Sequence, residues 1–131
     1  MKTKMIWANL VSNDLQQTIQ FYTDLGFKQN GQNTEEIVSF SIAENNFIIN
    51  FFATDRFKTA LKGNLANSKN ENEIIFSLSA ESREEVDLWY EKVKKAGATI
   101  FSEPENYQLG YTFGFADPDG HKFNFLYWPG M

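Results

Sequence analysis

The sequence predicts an α+β fold of two βαβββ modules that form a curved mixed sheet around a pocket. Three observations carry this expectation. A strand-like segment, a capped helix and three further strand-like segments occur in that order twice within the 131 residues. The two helices open at Asp14 and Ser82, each carries a tyrosine eight residues on (Tyr22 and Tyr90), and each closes on a glycine, Gly26 or Gly97. The last strands of the two halves read Ile49-Asn50-Phe51-Phe52 and Phe123-Asn124-Phe125-Leu126.

The elements follow in order. Residues 4–11 predict the first strand, and Asn13 or Asp14 caps a helix over residues 15–24. Ile19, Phe21, Tyr22 and Leu25 give that helix its apolar positions, and Gly26 ends it. Residues 27–29 predict a short strand and the polar run 30–35 a turn or loop. Residues 37–43 and 47–53 predict a hairpin turning at Glu44-Asn45-Asn46, because asparagine tolerates positive φ. A helical turn is expected over residues 55–61. The asparagine-rich stretch 62–72 reads as a linker inside a single domain, between a module over residues 4–61 and another over 73–128. In the second module residues 73–80 predict a strand. Ser82 with Glu85 forms a capping box for a helix reaching Ala96. Strands are expected at 99–101, 111–116 and 122–128, the last two joined by Asp117-Pro118-Asp119-Gly120.

Composition narrows the function. A content of 42% hydrophobic and 16% aromatic residues suffices for a packed core, and rings beyond the core's need suit a ligand pocket. Twelve basic against seventeen acidic residues give a formal charge of −5, which disfavours nucleic acid and tolerates a cationic small molecule. The absence of cysteine excludes disulfides, thiolate catalysis and cysteine metal sites. The opening Met1-Lys2-Thr3-Lys4-Met5 and the broken apolar run after it form neither a signal peptide nor a membrane span, so a cytoplasmic protein is expected.

Asn9-Leu10-Val11-Ser12-Asn13-Asp14-Leu15 followed by Phe21-Tyr22-Thr23-Asp24-Leu25-Gly26-Phe27 resembles the opening of the glyoxalase / bleomycin-resistance / extradiol-dioxygenase (vicinal oxygen chelate) superfamily. Asp117-Pro118-Asp119-Gly120-His121 before a final strand resembles its other hallmark. The run from Ser82-Arg83-Glu84-Glu85-Val86-Asp87 to Ala96-Gly97 is similar to the lactoylglutathione-lyase-like subgroup. The resemblance implies paired βαβββ modules and, in the enzymes, a divalent metal held by His, Glu or Gln from four strands, acting as a Lewis acid on two neighbouring substrate oxygens. Carried over residue by residue, the four ligand positions fall on Trp7, Asn50, Ile75 and Asn124. Indole offers only a donor, isoleucine offers nothing, and two neutral carboxamides hold a hard cation weakly. No metal or other cofactor is therefore expected. His121, the single histidine, reads as an exposed residue of the turn.

Strand alternation then assigns faces. With Ile6, Ala8 and Leu10 toward the first helix, Trp7 and Asn9 face the concavity. With Ile74, Phe76 and Leu78 toward the second helix, Glu73, Ile75 and Ser77 do so, as do Asn124, Leu126 and Trp128 on the last strand. The expected ligand-binding residues are Trp7, Asn9, Asn50, Glu73, Ser77, Asn124 and Trp128, with Tyr107 and Tyr111 on a loop that covers the pocket in relatives. Glu73 is the only candidate base, and equally a counter-ion for a cation or an idle solvated carboxylate.

Three functions stay open. One is metal-independent binding of a small molecule, which the ring content, the acidity and the unsuitable ligand positions favour. Another is a lyase, isomerase or dioxygenase-like enzyme with a non-standard site, since fold does not fix chemistry. The third is a ligand-free interaction domain. A small molecule is the expected partner, with neither nucleic acid nor membrane, and a homodimer is possible, with the modules paired within one chain or exchanged through the linker.

Overall fold

The computed structural model describes residues 1–44 and 47–130. Asn45 and Asn46 of the expected hairpin turn lie outside the described residues. The chain divides into two compact units, residues 1–66 and 67–131.

The first unit contains β1 (Trp7–Ser12), α1 (Leu15–Asp24), β2 (Lys28–Gln29), β3 (Ile37–Ser41), β4 (Ile48–Ala53) and α2 (Thr54–Leu61). Its sheet runs β1-β4-β3-β2, with β1 parallel to β4 and the other pairs antiparallel. Asp14 starts α1 by accepting the Gln17 N–H at 3.1 Å. The helix ends in a paired-bond stop: Gly26, at φ +90°, donates to the Thr23 carbonyl and Phe27 to that of Tyr22. The Phe27 ring lies 6.3 Å from Tyr22 and completes the motif. Tyr22 also meets Phe51 and Phe40 at 4.7 and 5.6 Å, so α1 covers the sheet face carrying those rings. A buried Ser12–Thr18 hydroxyl bond of 2.6 Å fixes the end of β1 to α1.

The second unit repeats the plan with β5 (Ile75–Ala80), α3 (Arg83–Lys95), β6 (Thr99–Tyr107), β7 (Gly110–Ala116) and β8 (Lys122–Tyr127) in the order β5-β8-β7-β6, where β5 and β8 are parallel. Ser82 accepts the Glu85 N–H at 3.0 Å while the Glu85 carboxylate reaches back to the Glu81 N–H at 3.2 Å. Acids occupy the first turn of α3 and lysines the last, as its dipole favours. Gly97 and Ala98 stop it with the same bonds that end α1. Trp89 stacks on Phe125 at 4.3 Å, and Phe113, Phe115, Phe123 and Phe125 form a continuous ring stack beneath α3. The two four-stranded mixed sheets and three helices are the α+β, twice-repeated architecture the sequence predicts. No helix among the described residues is long and apolar enough to cross a membrane.

Several boundaries differ. Strands β1 and β5 begin at Trp7 and Ile75 rather than at residues 4 and 73. Strand β6 continues to Tyr107, well past residue 101. Its polar run Ser-Glu-Pro-Glu-Asn reads as loop, yet β6 is an edge strand, where Pro104 removes no essential ladder bond and register shifts absorb the irregularity. The part of the expected linker from residue 67 onward is fixed to the β7–β8 turn. Ser68 Oγ donates to the Asp119 carbonyl at 2.6 Å, and Asn72 Nδ2 donates to that of Gly120 at 3.0 Å.

Gly120 stands at φ +89°, and a Cβ there would lie 2.4 Å from the Ser68 carbonyl oxygen. Gly31 has φ +77° with open space around it. Gly120→Ala is expected to destabilise the protein by about 2–4 kcal/mol and Gly31→Ala by only about 1 kcal/mol, because only the first combines left-handed strain with a backbone collision. Urea unfolding of the two variants checks this, and equal losses would remove the close approach from the explanation.

Candidate functional site

Pairing register and side-chain alternation define the sheet face opposite each helix. In the first unit Phe51 and Phe40 turn to α1, so their strand neighbours Asn50 and Ser39 lie on the other face. Asn50 is registered with Asn9 on one side and Ser39 on the other. Asn50 Nδ2 donates to Asn9 Oδ1 at 3.0 Å, and Asn30 Nδ2 donates to Ser39 Oγ at 3.3 Å. A polar row therefore crosses this sheet. Trp7 lies on the same face and is 53% exposed.

In the second unit Phe125 and Phe113 turn to α3, which leaves Ser77, Asn124 and Gly114, registered with one another, on the opposite face. Asn124 Oδ1 is buried without a hydrogen-bond partner. An orphaned buried acceptor is rare and marks a place for a donor that a ligand or water supplies. Lys122 Nζ lies 4.7 Å over the Phe101 ring. Sequence reading missed this lysine–ring pair because Phe101 meets the sheet through the bulged strand β6.

The structure brings Trp7, Asn9 and Asn50 together on one sheet, and Ser77 and Asn124 together on the other. Glu73 precedes β5 and is exposed, outside the strand whose alternation would aim it inward. Trp128 follows β8 and lies 6.4 Å from the ring of Tyr107, which ends β6. Tyr107 and Tyr111 flank a tight turn at Gln108-Leu109 rather than a covering loop. Tyr111 is on the α3 side, where its hydroxyl donates to Asp87 Oδ1 at 2.8 Å under the Arg83 guanidinium. The hydrogen bond to Asp87, then burial and the charge of Asp87, hold the Tyr111 phenol above its ordinary pKa, against a smaller opposing effect of Arg83. Tyr90 is raised likewise, chiefly by its hydrogen bond to Glu103.

His121 is half-buried rather than exposed, and its backbone N–H donates to Asp117 Oδ1 at 2.9 Å. That same oxygen accepts the Asp119 N–H at 3.0 Å, which makes the buried Asp117 carboxylate the cap of the turn. Side-chain ligand atoms of Asp117, Asp119 and His121 lie within 4.8 Å of one another.

The chain belongs to the Glyoxalase/Bleomycin resistance protein/Dioxygenase superfamily, whose model matches residues 4–125. A hypothetical protein, SA1046, from S. aureus is 34% identical, with a TM-score of 0.86 over 98% of this chain and 96% of that one. A glyoxalase-related enzyme from Fulvimarina pelagi is 19% identical, with a TM-score of 0.83 over 98% and 90%. A lactoylglutathione lyase from Agrobacterium tumefaciens is 16% identical, with a TM-score of 0.72 over 99% and 98%. A comparison with curated proteins finds no match.

The superfamily's divalent ion can be tested against the donors present. Trp7 and Ile75 supply no lone pair, and Asn50 and Asn124 supply neutral carboxamides, one already paired with Asn9. This set does not fit the ion.

Tyr111 contributes to stability as the phenol, so its contribution is complete below the ordinary tyrosine pKa and is lost as pH rises through the raised value. Replacing it with Phe is expected to delete one late-ionising tyrosine from the alkaline near-ultraviolet titration. Loss instead of a tyrosine that ionises at the ordinary pKa would contradict the Asp87 bond.

Proposed function

We propose that this protein binds a small organic molecule without a metal ion. The observation that carries the reading is the donor set: none of the four family ligand positions holds His, Glu or Gln, while carboxamides occupy the middle of both open faces. Asn124 Oδ1 supports it further, since a ligand can supply the hydrogen-bond donor it lacks. The indole of Trp7 adds an exposed flat surface for stacking. Recognition through carboxamides and rings selects ligands by hydrogen bonding and shape.

A thermal-shift screen tests this reading. Members of an aromatic and cationic compound set are expected to raise the melting temperature by several degrees when well above their Kd, with no response to Zn²⁺, Ni²⁺ or Mn²⁺. Asn124→Leu removes the orphaned acceptor and is expected to abolish the ligand response while the fold persists. Stabilisation by one of the metals alone would overturn the reading.

A second copy of the chain is the proposed protein partner. Strands β1 and β5 are both sheet edges, and Ile6, Trp7, Ile74 and Ile75 beside them are 47–70% exposed. Exposed apolar edges invite pairing. Lys2 and Lys4 precede one edge, Glu71 and Glu73 the other, so the two are complementary in charge. Sedimentation should show a dimer that loosens with salt and dissociates in Ile74→Lys. A monomer at every concentration and salt would exclude it.

A further inference from the structure

A cleft of about 440 Å³ opens in the second unit at the carboxyl ends of β5 and β8. Its walls include Ser79, Glu81, Tyr127 and Trp128. We infer that this cleft takes an organic ammonium ion, seated against the Trp128 indole and neutralised by Glu81. The inference rests on the reading of the chain as a metal-free binder, and it adds a second subsite, at the strand ends and apart from Asn124, for ligands of one charge class.

Charge selects the class. Glu81 is the one ionisable carboxylate or basic group among the described wall residues apart from the Tyr127 phenol, so the cleft repels anions. The nearest basic side chain in sequence, Arg83, is engaged elsewhere: its guanidinium lies 5.3 Å from the centre of the Tyr111 ring and bonds to Asn106 Oδ1. The amino end of α3 follows Glu81 in sequence and carries a side-chain cap. Ser82 Oγ holds the Glu85 N–H, and the Glu85 carboxylate holds the Glu81 N–H. Glu84 and Glu85 in the first turn also offset the helix's positive end.

Ring geometry selects an organic cation over a bare metal ion. A single carboxylate and a serine hydroxyl make a poor coordination shell, whereas an ammonium is attracted to an aromatic face, most strongly to tryptophan. The Trp128 indole is held in advance. It lies against the backbone of Gly110, where a Cβ would come within 3.0 Å of its Cε3, and the Tyr107 ring flanks it at 6.4 Å. A ring already fixed costs little entropy when a ligand stacks on it. The cleft volume suits a molecule of metabolite size.

The test uses the full chain labelled with ¹⁵N, whose three tryptophans give separate indole N–H signals. Benzyltrimethylammonium is titrated in one arm and its neutral carbon isostere in the other. The expected result is a saturable shift of the Trp128 indole with the cation alone. Glu81→Gln should weaken that binding about tenfold, which corresponds to about 1.4 kcal/mol. This variant keeps the Glu81 backbone N–H that Glu85 holds, so α3 keeps its cap. Trp128→Leu should abolish binding, with its melting curve reporting that the fold persists. Equal binding of the isostere, an unmoved Trp128 signal, or an unchanged affinity in Glu81→Gln would each overturn the inference. A probe that shifts Trp7 and the Asn124 amide but leaves Trp128 still would retain metal-free binding and remove the cleft. A Trp128 shift that persists in a protein stabilised only by metal would retain the cleft and remove the metal-free reading.

Discussion

The parallel pairing of the first and last strand in each unit is the constraint from which the rest follows. A parallel pair cannot be joined by a tight turn, so the chain between β1 and β4, and between β5 and β8, must cross over and return. The crossover supplies the helix that covers one sheet face, and in the first unit α2 meets the other face where Phe57 packs 5.8 Å from Phe52. The register is the same in both units. Trp7 is opposite Ile48, two residues before Asn50, and Ile75 is opposite Lys122, two residues before Asn124. Each unit therefore presents its two family ligand positions diagonally across a parallel pair, on the face away from the helix.

Holding that register takes a core that resists slippage, and the aromatic residues provide it. A one-residue slip would turn Phe51 or Phe125 from the helix to the open face. Each fully buried phenylalanine contributes about 1.5–3 kcal/mol, so slipping is costly. The helices are bounded by matching devices, a side-chain cap at Asp14 or Ser82 and a glycine stop at Gly26 or Gly97. In the second unit the Asp117 carboxylate gathers the β7–β8 turn, and residues 68–72 lie across it. The asparagine-rich segment is thus tied into the unit it precedes.

Much of this was legible in the chain itself. The period of the strands, the two caps, the two glycine stops and the recurrence of the same element order located the elements, because each depends on local chemistry. What escaped depends on contacts between segments far apart. The extension of β6 through Pro104 is set by its position at a sheet edge. The half-burial of His121 arises in the β7–β8 turn that Asp117 gathers. Alternation placed Trp7, Asn9, Asn50, Ser77 and Asn124 on the open faces, but it fails for Glu73, which lies before its strand begins. Tyr111 obeys alternation on the helix side, where Asp87 holds it, and its reading as a loop residue missed this. Alternation singled out Trp128 as an inward-facing ring, but nothing in the sequence joins it to Glu81, because the cleft they line forms only when β5 and β8 pair.

The proposed metal-free reading rests on Trp7, Asn50, Ile75 and Asn124, which put neither His, Glu nor Gln at the positions where the superfamily resemblance implies ligands. The most direct measurement follows the side-chain amide signals of Asn50 and Asn124 by ¹⁵N nuclear magnetic resonance during a Mn²⁺ titration of chelator-treated protein. A paramagnetic ion bound at these positions would broaden both pairs of signals at stoichiometric metal. The account predicts that they stay sharp relative to surface amides such as Asn64 and Asn70. Selective loss of the Asn50 and Asn124 signals at one equivalent would contradict it.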